Sequence, residues 1–362
     1  MSIPKNQIIH GNCLDVLQAF PTDSIDLIFA DPPYNLQLSQ DLWRPDSSLV
    51  DPVDDEWDQF ESFEAYDDFS TAWLSSCRRV LKETGSIWVI GSYHNIYRIG
   101  SIMQNLGFWF LNDIIWIKTN PMPNFRGVRF TNAHETLIWA VKSKGNRYTF
   151  NHHAMKKFNH GKQMRSDWTI PICSGKERIK INGEKAHATQ KPEALLYRVI
   201  LSSTNPGDLV LDPFFGTGTT GVVAKVLHRD WVGIEEEYSY VKIAQERLDA
   251  VKPFLFDEKV FDVRDKKRLA PRVPFSQLLE SGLLLPGQQL FFRKQETISA
   301  KIKPDGNLVL NDTEGSIHQV ARHILGDKPC NGWDLWYYRD DDGELVSIDN
   351  LRTILRKGME IQ

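Results

Sequence analysis

Cysteine is scarce in this chain of 362 residues: Cys13, Cys77, Cys173 and Cys330 are the full set, and none is spaced with another as a disulfide framework or zinc site requires. A stapled secreted scaffold is therefore excluded, and a reducing compartment is expected. No apolar run approaches the ~20 residues of a membrane span, and the opening Met1-Ser2-Ile3-Pro4-Lys5-Asn6 lacks the apolar core of a secretory signal. A cytoplasmic protein with no membrane partner follows. His152, His153 and His160 match no helical ligand pair and have no cysteine or carboxylate cluster for company, so no metal is expected. An excess of positive charge is also missing, since 43 Lys and Arg stand against 47 Asp and Glu for a formal net of −4.

That sum hides a segregation. From Asp41 to Asp68 there are 11 acidic residues and one Arg, a net of −10, whereas Ile114 to Gln190 holds 14 Lys and Arg against 4 acids, a net of +10. A phosphate backbone feels the charge within a Debye length of ~10 Å, not the total. A nucleic-acid partner thus stays open.

The apolar run Ile25-Asp26-Leu27-Ile28-Phe29-Ala30 ends in Asp31-Pro32-Pro33-Tyr34. Rich in Ile and Phe and stopped by two prolines, it reads as a buried parallel strand cut off at its carboxyl end, where open α/β sheets place their sites. The tetrapeptide suits methylation of an exocyclic amine on a nucleobase. The lone pair of such an amine is delocalised into the ring, so it attacks only once its hydrogens are bound by acceptors that favour a tetrahedral nitrogen. Asp31 is one acceptor, and the Pro32 carbonyl, held by the fixed φ angles of Pro32 and Pro33, is the other. Tyr34 is placed to stack on a base swung out of the duplex. An ordinary strand end with a proline turn would share the first three residues but gives no reason for the aromatic.

Further on, the strand Asp208–Asp212 runs into Pro213-Phe214-Phe215-Gly216-Thr217-Gly218-Thr219-Thr220-Gly221. Glycines permit a tight strand-to-helix turn, and the amides beyond them can receive a carboxylate at the helix N-terminus. About 20 residues later Glu235 ends a strand, positioned for ribose hydroxyls. The Gly-x-Gly-x-x-Gly spacing alone serves a nicotinamide dinucleotide as well as S-adenosylmethionine.

Between these motifs, Phe63–Leu81 and Asn95–Leu106 carry helical spacing, while Ser86–Gly91, Phe108–Ile117 and Thr136–Val141 read as strands. The connection from Asn35 to about Phe60 is either a mobile acidic surface loop or a lid whose Leu38 and Leu42 wedge against bases. The basic stretch 118–185 is either a solvated irregular insertion or a target-recognition insertion. In the second reading Lys118, Asn120, Asn124, Arg126, Arg129 and Asn132 contact DNA near the catalytic edge, and Arg165 further along. After residue 262 a linker over 263–274 leads to a small α+β domain over 275–362, whose Trp333, Trp336, Tyr337 and Tyr338 either fill its core or serve DNA binding or self-association as a homodimer.

Asp31–Tyr34 resembles the catalytic motif of the amino-methylating DNA methyltransferases, in which Asp in first place points to adenine N6 more than cytosine N4. Asp212-Pro213-Phe214-Phe215-Gly216 is similar to the cofactor turn of the same enzymes, which decides for S-adenosylmethionine. Gly11-Asn12-Cys13 stands where relatives read Gly-Asp-Cys and touch the cofactor adenine, and the Asn12 amide can still meet an adenine edge. The resemblance implies a cofactor site made of Asn12, Cys13, Asp31, Lys191, Asp212, Pro213, Phe214, Phe215, Gly216, Thr217, Gly218, Thr219 and Glu235. With the catalytic motif first, the recognition segment second and the cofactor turn last, the order resembles the β group, a circular permutation of one sheet. Nearly the whole chain is similar to the cell-cycle-regulated adenine methyltransferases of α-proteobacteria, which act at GANTC in double-stranded DNA and carry an accessory C-terminal domain. The implied fold is a doubly wound, mostly parallel Rossmann-like sheet. Cytosine-N4 methylation, RNA methylation and a catalytically silent DNA-binding regulator are the alternatives.

Overall fold

A computed structural model describes residues 3–35, 59–124, 127–181, 189–264 and 272–359, with the short pairs 42–43, 49–50 and 184–185. Two compact units divide the chain, 1–264 and 265–362.

The first unit is built on eight strands: β1 Gln7–His10, β2 Ile25–Ala30, β3 Leu81–Gly91, β4 Trp109–Lys118, β5 His134–Val141, β6 Asp167–Ile170, β7 Leu209–Asp212 and β8 Asp230–Glu235. Their spatial order is β1-β8-β7-β2-β3-β5-β4-β6, and every neighbouring pair is parallel except those made by β5, which opposes both β3 and β4. Alternation along the strands explains why both faces are covered. Leu27, Phe29, Trp88 and Ile90 feed one core, and Ile28, Ala30, Ile87 and Val89 feed the other. Helices α1 (Cys13–Gln18), α2 (Phe63–Val80) and α3 (Ile96–Asn105) close the second core. Helices α4 (His152–Phe158), α5 (Glu193–Ser203), α6 (Thr219–Val226) and α7 (Tyr238–Ala250) close the first.

Strands β2 and β7 are far apart in sequence but adjacent in space, with Leu27 opposite Val210. The chain leaves β2 towards the face of α2 and leaves β7 towards the opposite face, that of α6. A crevice opens at such a switch point.

The basic stretch 118–185 is less of an insertion than its composition suggested. It contains β5, α4 and β6, and Trp168 is buried beside Trp88, which itself stacks on Trp139 at 5.1 Å. Rings of that area are held by burial even in a segment dominated by polar residues. In the β4–β5 connection Val128, Arg129, Phe130 and Asn132 all face solvent. Leu38, residues 51–58, Arg126 and residues 265–271 of the linker lie outside the described residues. Leu42 sits in a two-residue strand, 42–43, that pairs antiparallel with 49–50.

The second unit is an α+β fold with a six-stranded antiparallel sheet. Trp333 and Trp336 are buried in its core, and the Trp336 indole donates to the Ile317 carbonyl at 2.9 Å. Those two rings serve packing, Tyr338 leans on the same core, and Tyr337 lies under the Lys294 ammonium. Among the described residues no helix is long and apolar enough to cross a membrane.

Candidate active site

One cleft crosses the carboxyl ends of β2, β7 and β8, enclosing about 1230 Å³ of empty space partly continuous with solvent. Asn12, Cys13, Asp31, Pro32, Pro33, Tyr34 and Lys191 line it from one side, and Asp212, Pro213, Phe214, Phe215, Gly216, Thr217, Thr219 and Glu235 from the other. Gly218 alone of the expected cofactor residues is not in its wall. Its φ of +78° starts α6, and a Cβ there would lie 3.0 Å from the Ala244 Cβ. Its contribution is to the shape of the turn.

The turn is braced by carboxylates. Asp212 accepts from the Phe214 amide at 3.0 Å and from the Thr220 hydroxyl at 2.5 Å, tying strand end to helix start. Burial pushes its carboxyl well above the ordinary range. Glu235, expected on ribose hydroxyls, accepts from the Gly216 amide at 2.6 Å and the Glu237 amide at 2.9 Å. Phe215 turns its ring inward, stacked on Trp231 at 5.5 Å and seated against Gly221 and Gly233, where an added Cβ would come within 2.6 and 2.3 Å of it. The third glycine of the motif is thus a packing requirement. Asn12 caps α1 by accepting from the Leu14 amide at 2.9 Å, a task an aspartate would share, and donates to Glu236 at 3.2 Å.

At the catalytic tetrapeptide, the Pro33 carbonyl accepts from the Tyr66 hydroxyl at 2.8 Å and the Asn95 amide at 3.4 Å, which fixes the segment from two helices. Asp31 Oδ2 accepts from Lys191 Nζ at 2.7 Å, while Oδ1 is buried with no well-formed hydrogen bond among the described residues. Burial raises the Asp31 carboxyl above its ordinary value, with Lys191 and the nearby Tyr34 hydroxyl opposing the rise and Glu135 reinforcing it. Tyr34 donates to Glu135 Oε2 at 3.1 Å, and the Lys191 ammonium sits 5.1 Å from its ring centre. Glu135 reaches this place because β5 runs backwards: the first residues of a reversed strand lie at the carboxyl edge of its neighbours. Lys118, the last residue of β4, meets it there at 2.7 Å. Burial disfavours the Glu135 anion, yet Lys191 and Lys118 outweigh it and hold the carboxyl below its ordinary value.

The DNA-contact expectations are changed by these partners. Lys118 is committed to Glu135 with only 12% of its side chain exposed, so it is not a free phosphate ligand. Asn120 accepts from the Ile172 amide at 2.8 Å, and Asn124 from the Val128 amide at 3.3 Å, both shaping loops. Arg165 forms a two-point pair with Asp167, whereas Arg129 donates to the Tyr93 hydroxyl at 2.7 Å beside exposed Phe130. Glu135, Tyr66, Asn95 and Glu236 escaped the sequence reading. Only Glu135 left a trace there, as one of four acids in the basic stretch, placed just ahead of an apolar strand.

Residues 25–246 match the family model described as DNA methylase, which takes in the N6 and N4 enzymes. The chain belongs to that family. Residues 257–360 match a second model, Restriction Enzyme Adenine Methylase Associated. The chain is 51% identical to the Type II methyltransferase M.HinfI of Haemophilus influenzae over 348 residues, 96% of each protein. It shares its fold with the cytosine-N4-specific PvuII DNA methyltransferase at 23% identity and a TM-score of 0.53, over 72% of this chain and 92% of that one. The M1.HpyAVI–SAM complex is 29% identical, with a TM-score of 0.49 over 67% of this chain and 98% of its own.

The protein is a methylase of DNA, and its methyl donor is S-adenosylmethionine. The cleft suits that donor chemically. When it binds, Glu235 and Glu236 at the end of β8 would be the groups at hand for its hydroxyls, the Asn12 amide for an adenine edge, and the positive-φ turn at Gly216 and Gly218 ahead of α6 for a carboxylate.

Proposed function

We propose that the protein methylates N6 of adenine in duplex DNA, at GANTC, as the cell-cycle-regulated enzymes its sequence resembles do. The observation that carries this reading is the Asp31 carboxylate, with one oxygen on Lys191 and the other buried in the cleft wall with no well-formed hydrogen bond among the described residues. A buried acceptor without a well-formed bond is costly, and an amine hydrogen entering the cleft would satisfy it. The Pro32 carbonyl takes the second hydrogen, on a segment clamped by Tyr66 and Asn95. With both hydrogens held, the nitrogen lone pair leaves the ring system and becomes available for attack. S-adenosylmethionine supplies an electrophilic methyl group on a cationic sulfur. Asp31 Oδ1 then receives the proton that the methylated amine sheds, and the raised proton affinity of this carboxyl favours that transfer.

Adenine is preferred because Asp stands first in the tetrapeptide and because the second unit matches a family described by its association with adenine methylases. The reading places the enzyme in the bacterial cytoplasm, on the nucleoid. Its test uses labelled S-adenosylmethionine and a panel of duplexes with and without GANTC, with the methylated nucleoside identified by mass spectrometry. N6-methyladenine confined to GANTC duplexes is expected. N4-methylcytosine, or label spread evenly over the panel, would overturn the reading.

A further inference from the structure

Glu135 is not in the wall of the cofactor cleft, yet it touches most of the charged groups behind Asp31. Its Oε1 lies 2.7 Å from Lys118 Nζ, and its Oε2 lies 3.1 Å from the Tyr34 hydroxyl and 4.0 Å from Lys191 Nζ. Lys191 continues the chain to Asp31 Oδ2 at 2.7 Å. The four charged side chains, Lys118, Glu135, Lys191 and Asp31, are only 7–19% exposed. Two anions and two cations in a row neutralise each other, as a buried set must.

The arrangement matters for Asp31 Oδ1. The Tyr34 hydroxyl and Lys191 each feel both carboxylates, and Tyr34 is held as a donor between Asp31 and Glu135, so removal of Glu135 tips both groups towards Asp31. Both would then turn to Asp31, and its second oxygen would be occupied before a substrate arrived. We propose that Glu135, anchored by Lys118, is a positioning residue for methyl transfer that draws Tyr34 and Lys191 towards itself and keeps Asp31 Oδ1 open to the target amine. This rests on the reading of Asp31 as the amine acceptor.

Charge gives the proposal a signature that packing alone lacks. The groups facing Asp31 are Lys191, Glu135 and Tyr34, with Asp212 on β7 sensing it from the side, and Lys191 also feels Arg178. Glu135 favours the protonated form of Asp31, so neutralising it moves the titration of Asp31 to lower pH.

The experiment is steady-state methylation against pH with full-length protein, comparing wild type, Glu135→Gln, Glu135→Asp and Lys118→Gln. Glu135→Gln should lower kcat by roughly 10–10²-fold, the scale of a misplaced reacting group. KM for S-adenosylmethionine should hold, and the acidic limb of kcat should shift to lower pH. Glu135→Asp should return the limb towards wild type. Lys118→Gln, which frees Glu135 to draw harder on Lys191, should move it to higher pH and serves as the test if Glu135→Gln does not fold. A loss of kcat with the limb unmoved in both neutral variants would reduce Glu135 to packing and overturn the proposal, as would wild-type kcat in Glu135→Gln. Failure of the functional reading shows separately, as the wrong product from the wild-type enzyme.

Discussion

Asp31 must pair with a buried ammonium and still accept from a substrate, and its titration reports how those demands are balanced. Burial holds its carboxyl above the ordinary value near ~3.9. Methyl transfer needs the anion, so the rate should rise with pH through that raised value and be lost on acidification sooner than an exposed aspartate would allow. Stability runs the other way for this group. A carboxyl whose folded pKa is raised contributes stability that is present below its unfolded value and lost as pH rises through the folded one. Glu135, held low by Lys191 and Lys118, contributes stability above its unfolded value that is lost as pH falls through the lowered one. On mild acidification activity should therefore fall while the fold persists. Parallel measurements of kcat and circular dichroism against pH check this, and coincident loss of both would contradict it.

The cofactor turn is the element whose sequence and shape are most tightly bound together. Phe215 fits only because Gly221 and Gly233 leave room for its ring. Gly233→Ala would put a methyl group 2.3 Å from ring atoms in the middle of a buried strand. It should cost about 1–3 kcal/mol, the range for overpacked cores, and lower Tm by about 2–4 °C per kcal/mol in a protein of this class. Thermal unfolding measures it, and an unchanged Tm would show that the ring can move aside. This turn and β2 were legible in the sequence because each is local: an apolar run, a stop, and glycines at fixed offsets. Glu135 and Lys118 were not, since their meeting depends on one strand running against its neighbours, which no spacing along the chain encodes. The burial of Trp168 was not legible for a related reason, since a buried ring looks like a surface one when the residues around it are polar.

At the scale of the whole molecule, charge and function divide between regions. The first unit holds the cleft and the exposed basic connection between β4 and β5, whereas residues 264–362 carry 15 Lys and Arg against 14 acids, a net of +1. Bulk attraction to DNA is thus not the contribution of the second unit. A chain ending at residue 264 should keep its affinity for S-adenosylmethionine but lose DNA affinity or self-association, read by calorimetry, a duplex-binding titration and sedimentation. Wild-type methylation by the truncated chain would make the second unit dispensable. Methyl transfer depends above all on one carboxylate, Asp31, acting on the target amine and not on the cofactor. The direct measurement is single-turnover methyl transfer by Asp31→Ala alongside its affinity for S-adenosylmethionine. Transfer should fall by at least ~10²-fold, the loss typical of removing one preorganised group that stabilises developing charge, while affinity survives. Transfer at the wild-type rate, or loss of affinity in step with transfer, would contradict the account.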